Sequence, residues 1–182
     1  AIQKEVLERL KTDLEAGRRA AEAVASERRD AGMLLLRGLE LLTAKPRIIV
    51  FNASERQVQD RWQPPPEALT EIKSDPWLVL SAKIEDEVNS LSDAERAEYL
   101  SSLGLNASGL DQMIKIGYRT LGLITFLTTG EDETRAWTIP AGSTAPRAGR
   151  AIHSDFEQKF IRAEVIPFAK LVEAGSWARA RE

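Results

Sequence analysis

In residues 2–30 the apolar positions recur at alternating steps of three and four, through Leu7, Leu10, Leu14, Gly17, Ala21 and Val24. That spacing is the a/d seam of a coiled coil and predicts one long charged helix. Glu5 with Arg9 and Glu15 with Arg19 add acid-before-base pairs at i,i+4, each worth a few tenths of a kcal/mol. The run holds only about two and a half heptads, with a glycine in the seam, so the arm needs a partner helix.

The pattern then changes. Residues 33–42 form a denser apolar helix that Lys45-Pro46 ends, because the residue before a proline is pushed out of helical geometry. Residues 47–51, Arg-Ile-Ile-Val-Phe, read as a strand buried on both faces, being too continuously apolar for a half-exposed one. Gln63-Pro64-Pro65-Pro66 is a stiff loop into a short helix at 67–73, and Asp75-Pro76 opens a second buried strand at 77–80. Strand, helix and parallel strand make a βαβ-like unit at the edge of a doubly wound sheet.

From residue 85 to 120 the period is helical again. Ser92-Asp93-Ala94-Glu95 is a capping box for a helix carrying Tyr99 and Leu100, Gly104 stops that helix, and Ser108 caps the next. After Gly122 the period becomes two. Residues 123–128 and 134–139 are strands joined by the turn Thr129-Gly130-Glu131-Asp132-Glu133. Residues 140–146 read as a loop, followed by a short helix near 152–159 and a strand at 160–165, so this part is a small α+β module. The sequence runs out at Glu182 before a further strand closes that sheet, which favours a truncated chain or a disordered remainder. The expected fold class is therefore α/β plus α+β.

Composition narrows the chemistry. The 182 residues contain no cysteine, one histidine and a formal net charge of −3. Thiolate metal sites and disulfides are excluded, a histidine zinc site is implausible, and a reducing cytoplasmic location is the default. No apolar run approaches the roughly 20 residues that span a bilayer, and no signal-peptide core opens the chain. The near-balanced charge gives no strong pull toward nucleic acid or membrane.

The candidate chemistry lies at the ends of the two apolar strands. Asn52-Ala53-Ser54-Glu55 follows the first and Ser81-Ala82-Lys83-Ile84-Glu85 follows the second. An Asn amide carries both donor and acceptor and suits a purine edge, while backbone groups of Ser-Ala-Lys hold the base. Doubly wound folds bind ligands at the carboxyl ends of such strands. No G-x-x-x-x-G-K-S/T phosphate loop occurs in the chain.

Leu41-Leu42-Thr43-Ala44-Lys45-Pro46, the two turns just given, Gly122-Leu123-Ile124-Thr125-Phe126, Arg135-Ala136-Trp137-Thr138-Ile139, Ile152-His153-Ser154-Asp155-Phe156 and Phe160-Ile161-Arg162-Ala163-Glu164-Val165 occur in this order. That series resembles the YchF-type (Ola-type) branch of the Obg-related P-loop NTPases across nearly the whole chain. The resemblance implies a returning coiled-coil arm at residues 1–30, the C-terminal part of a G-domain with trailing helices at 31–118, and an incomplete β-grasp module of the TGS type at 119–182. It also implies a fragment, with the phosphate loop, switch regions and magnesium ligand upstream of Ala1 and the last β-grasp strands beyond Glu182.

On the same resemblance, Asn52, Ala53, Glu55, Ser81, Ala82 and Lys83 would contact a purine base. Relatives that select GTP carry Asn-Lys-x-Asp there, and Ala53 and Glu55 depart from it. The resemblance implies adenine preference or a relaxed choice, with Asn52 reading the base and the Ala53 backbone helping. The intact protein would be an ATPase or GTPase using ATP or GTP with Mg2+, tied to the ribosome or RNA, while the fragment alone would hold no nucleotide tightly and catalyse nothing. Arg147, Arg150, Lys159 and Arg162 are the candidate RNA or partner contacts. His153 with Asp155 reads as a helix start rather than a catalytic dyad, and Trp137 and Phe126 read as core. The competing reading is a non-catalytic module that binds protein or RNA through the coiled coil and β-grasp sheet.

Overall fold

In the computed structural model of the chain, which describes residues 2–27, 30–130 and 133–180, Gly17 adopts φ +73° and ends the first helix. Gly17 N–H donates to the Leu14 carbonyl at 3.0 Å and Arg18 N–H to the Asp13 carbonyl at 2.8 Å. That pair of bonds is the Schellman closure, which needs a left-handed residue that glycine supplies without a Cβ clash. The single helix expected over 2–30 is therefore two, α1 (Ile2–Glu15) and α2 (Ala20–Ser26), with α3 (Asp30–Gly38) after them. Residues 28 and 29 of that expected helix lie outside the described residues.

The buried stripe also differs from the expected seam. Val6 and Leu10 of α1 pack with Ala20 and Ala23 of α2 and Leu36 of α3 in one core, whereas Leu7 and Leu14 are 41% and 39% exposed. The Val6–Leu10 face of α1 is covered by α2 and α3 of the same chain, while the expected seam positions Leu7 and Leu14 stay open. Gly32 sits where an added Cβ would come within 2.7 Å of the buried Glu27 side chain, so the helices meet at close range. The expected helix at 33–42 stops at Gly38, and a 3-10 turn at Leu42–Ala44 leads to an extended Lys45 before Pro46.

β1 (Ile49–Asn52) and β2 (Trp77–Leu80) run parallel, Ile49 opposite Trp77 and Asn52 opposite Leu80. Between them lie α4 (Glu55–Gln59) and α5 (Pro66–Ile72), completing the βαβ-like order. β1 begins two residues later than expected, at Ile49, whose N–H donates to the Pro76 carbonyl at 2.9 Å, while the Arg47 side chain pairs with Asp75 at 2.5 Å. Three helices follow: α6 (Ala82–Asn89), α7 (Asp93–Ser102) and α8 (Gly109–Thr120). Ile84, Val88 and Leu100 form their core, with Val58, Tyr99, Leu103 and Leu105 around it. The expected burial of both strands holds unevenly. Val50 and Leu78 share a register position, and Leu78 is buried while Val50 is 42% exposed; α8 packs against β2.

The capping signals read from sequence are realised. Glu95 accepts from Ser92 N–H at 3.0 Å, and the Ser92 hydroxyl and backbone bonds hold its carboxyl below the ordinary range. Gly104 stops α7 at φ +71°, and Ser108 Oγ accepts from Asp111 N–H at 3.0 Å to start α8. These elements all belong to one compact unit, Ala1–Leu121, and a second unit comprises Gly122–Glu182.

The second unit is built on the antiparallel pair β3 (Leu123–Thr129) and β4 (Thr134–Pro140), Phe126 opposite Trp137. Glu131 and Asp132 of the expected turn lie outside the described residues. Trp137 Nε1 donates to Thr128 Oγ1 at 2.8 Å and the Arg135 guanidinium lies 4.4 Å from its ring centroid, so the half-buried ring is committed within the sheet. The expected 152–159 helix is replaced by α9 (Ala145–Ile152) and α10 (Ser154–Gln158), with Pro146 in the first turn of α9, where its missing N–H costs nothing. The expected strand at 160–165 does not form. Ile161 and Val165 are 91% and 87% exposed in a segment that joins neither strand of the β3–β4 pair, and α11 (Phe168–Ala174) and α12 (Trp177–Ala180) follow. Among the described residues no helix is long and apolar enough to cross a membrane.

Leu36→Ala is expected to lower the unfolding free energy of the first unit by about 2–5 kcal/mol, whereas Leu34→Ala, at a 77% exposed position on the same helix, should stay within about 0.5 kcal/mol. Urea titration of both variants checks the difference, and equal losses would place the core elsewhere.

A second expectation concerns acid. Burial raises the Asp75 carboxyl, but the Arg47 hydrogen bond and the Arg19 and Arg47 charges outweigh that and hold it below its ordinary value. A carboxyl depressed in the folded state contributes stability above its unfolded value, near 3.9, and loses it as pH falls through the folded value. Asp75→Asn should therefore reduce Tm at pH 7, and the gap to the parent should close as pH drops below about 4. A gap that persists undiminished in acid would exclude an electrostatic role.

Candidate functional site

The parallel register brings the ends of β1 and β2 side by side, and both strands end in serine-capped helices. Ser54 caps α4, its Oγ accepting from Gln57 N–H at 3.3 Å while Gln57 Oε1 accepts from Ser54 N–H at 2.9 Å. Buried Ser81 caps α6, with Oγ 3.5 Å from Ile84 N. The two turns are joined across the strand ends. Ala53 N–H donates to the Leu80 carbonyl at 2.8 Å, and Asn52 Oδ1 accepts from Ala82 N–H at 3.0 Å.

Asn52, Ala82 and Lys83 are exposed, and Glu55 is half-buried beside them. Among the described residues Asn52 Nδ2 enters no hydrogen bond, so the amide uses its acceptor on the protein and presents its donor outward. The Ala53 N–H is already engaged, which leaves its carbonyl as the backbone group available there. Lys83 Nζ lies 3.2 Å from Glu55 Oε1 and 3.7 Å from Glu87 Oε1. The Glu55 hydrogen bond, then the Glu55 and Glu87 charges, raise the Lys83 ammonium above its ordinary value. Tyr99 OH donates to the other Glu87 oxygen, and that bond, burial and the nearby carboxylates push the phenol up to about 12.

Behind this edge, Glu85 points the opposite way. Its two oxygens accept from Gly109 N–H at 2.7 Å and Leu110 N–H at 2.9 Å, so a carboxylate from α6 caps the first turn of α8. A Cβ on Gly109 would come within 2.6 Å of Leu80 Cβ and 2.9 Å of Glu85 Oε1, so only glycine allows that approach. The Ser-Ala-Lys reading singled out residues 81–83 and gave Glu85 no role of its own. The signal was the acid two residues past Lys83 together with a glycine just inside a capped helix.

The remaining candidates lie in the second unit, apart from these turns in the sequence. Arg150 pairs with Glu157 at 3.0 Å and Lys159 with Asp155 at 3.1 Å, while Arg147 and Arg162 are exposed and in no ion pair among the described residues. His153 Nδ1 accepts from Asp155 N–H at 3.2 Å, so the histidine caps α10 as a helix start. Among the described residues no group of His, Cys, Asp and Glu side chains could hold a metal ion.

A family model described as "YchF-GTPase_C: Protein of unknown function (DUF933)" matches residues 123–182. The chain is 39% identical over 184 residues to the protein of Bacillus subtilis named "Ribosome-binding ATPase YchF", covering 98% of this chain and 49% of that protein. It is 38% identical over 171 residues to the protein of the same name from Escherichia coli O157:H7, covering 92% and 46%. The solved structure of the Schizosaccharomyces pombe YchF GTPase superposes with a TM-score of 0.82 at 28% identity, over 98% of this chain and 48% of that one. The chain thus spans about half the length of the curated relatives it matches. Across that span, in sequence and in fold, it belongs to the YchF family.

Proposed function

We propose that the turns at 52–55 and 81–83 form the purine-base-reading edge of a cytoplasmic, ribosome-associated ATPase or GTPase of the YchF type. The carrying observation is the Asn52–Ala82 bond at 3.0 Å, which joins two turns at the carboxyl ends of parallel strands and leaves the Asn52 amide donor facing outward. That donor suits N7 of a purine, and the exposed backbone at Ala82–Lys83 borders the same edge. Residues 2–27, 30–121 and the second unit would then act as base-reading and partner-contacting parts. The phosphate loop, magnesium and hydrolysis are assigned to portions other than these 182 residues, which contain no phosphate-loop motif. Exposed Arg147 and Arg162 are the cations we assign to an RNA or ribosomal contact, ahead of the already paired Arg150 and Lys159.

Adenosine titrated into the isotope-labelled chain is expected to shift the amides of Asn52, Ala82 and Lys83 with a millimolar dissociation constant, about −4 kcal/mol. Asn52→Ala should weaken that binding by about 1–3 kcal/mol, by analogy with base-edge contacts. If adenosine leaves those amides unmoved, the turns serve only to end the strands, and a non-catalytic protein- or RNA-binding module becomes the better account.

The chain by itself should release no phosphate from ATP or GTP above background, because its sequence carries no phosphate-loop motif to cradle the β- and γ-phosphates. Turnover by the pure chain, abolished by a substitution within it, would overturn this assignment.

A further inference from the structure

Adenine and guanine share the N7 acceptor and differ at the edge bearing N1. Guanine offers N1–H and an amino group there, whereas adenine offers a bare acceptor at N1. An ionised carboxylate accepts only. A free acid at that edge therefore favours guanine and repels the adenine N1 lone pair.

Glu55, the acid of the first turn, is not free. Lys83 of the second turn, separated from it by 28 positions, donates to its Oε1 at 3.2 Å. The same ammonium lies 3.7 Å from Glu87, and Tyr99 OH holds the other oxygen of Glu87. Tyr99 thus fixes Glu87, Glu87 steadies Lys83, and Lys83 occupies Glu55 beside the open Asn52 amide. The raised Lys83 ammonium stays charged across the physiological range. Its side chain is 68% exposed, so the pair adds little to stability, yet it sets the charge that a ligand meets.

We infer that Lys83 is a specificity-determining residue: by engaging one oxygen of the Glu55 carboxylate it weakens the two-oxygen acceptor that guanine suits and screens the charge that adenine N1 would meet. The inference rests on the base-reading function proposed above. Lys83 acts through Glu55, as a positioning residue, and needs no contact with the base itself.

The test compares adenosine and guanosine binding by amide shifts in the parent chain, Lys83→Gln and Lys83→Arg. Lys83→Gln should raise the guanosine-to-adenosine affinity ratio about two- to fivefold, the span to which an exposed ion pair converts. Lys83→Arg restores the cation and should return the ratio to that of the parent, a rescue that a merely structural lysine would not give. The spectra themselves report whether each variant is folded. An unchanged ratio in Lys83→Gln, with adenosine still moving the Asn52 and Ala82 amides, overturns the selectivity role and leaves the base-reading function standing. Absence of any adenosine shift in the parent chain removes both.

Discussion

One carboxylate holds the first unit in register. Asp75 lies just before β2 and receives Arg47, just before β1, at 2.5 Å, together with Arg19 of the helical hairpin at 3.0 Å. Arg19 also donates to the Lys45 carbonyl at 3.0 Å, so a single guanidinium joins the α1–α2 hairpin to the leads of both strands. Beside this cluster Ile49 N–H donates to the Pro76 carbonyl at 2.9 Å and starts the ladder. A slip of one residue in a strand pair turns every side chain to the opposite face. Fixing the strands at their amino ends therefore decides what meets at the carboxyl ends of these four-residue strands, where Asn52 stands opposite Leu80 and reaches Ala82.

The strand ends are shaped by capping more than by packing. Ser54 and Ser81 each satisfy the first turn of a helix, and Asn52, Ala82 and Lys83 beside them lie at the surface. Glu85 then fastens α6 to α8 through two backbone N–H groups, and Gly109 lets α8 approach Leu80 closely. The turn at 81–83 is in this way braced from behind by α8 and from the side by Asn52. Such a brace costs no reorganisation when a ligand arrives, which is the condition for a base-reading edge to bind at all with few contacts.

Much of this was legible because the signals are local. The parallel pair, the helix at 66–72, the caps at Ser92 and Ser108, the stop at Gly104 and the hairpin at 123–140 all follow from patterns spanning a few residues. The errors share a different cause. Heptad spacing in residues 2–30 describes one uninterrupted helix, whereas Gly17 folds the chain back so that α2 and α3 cover the Val6–Leu10 face and leave Leu7 and Leu14 open. The apolar run at 160–165 has strand composition, yet a strand exists only against an edge that accepts it. The Glu55–Lys83 and Asp75–Arg19 pairs span 28 and 56 positions, and no spacing rule reaches that far.

The chemistry of Asn52 also limits what it can decide. Its oxygen is spent on Ala82 N–H, so only the Nδ2 donor remains, and the acceptor it suits, N7, is common to both purines. Such a contact anchors a base without choosing between bases. On the proposed base-reading function the choice would fall to the acid of the turn, and here the sequence departures would act together. With alanine at 53, the cation that meets Glu55 is Lys83 of the second turn, at 3.2 Å. Selectivity on this account is a property of the pair of turns, held side by side by the strand register, rather than of either motif alone.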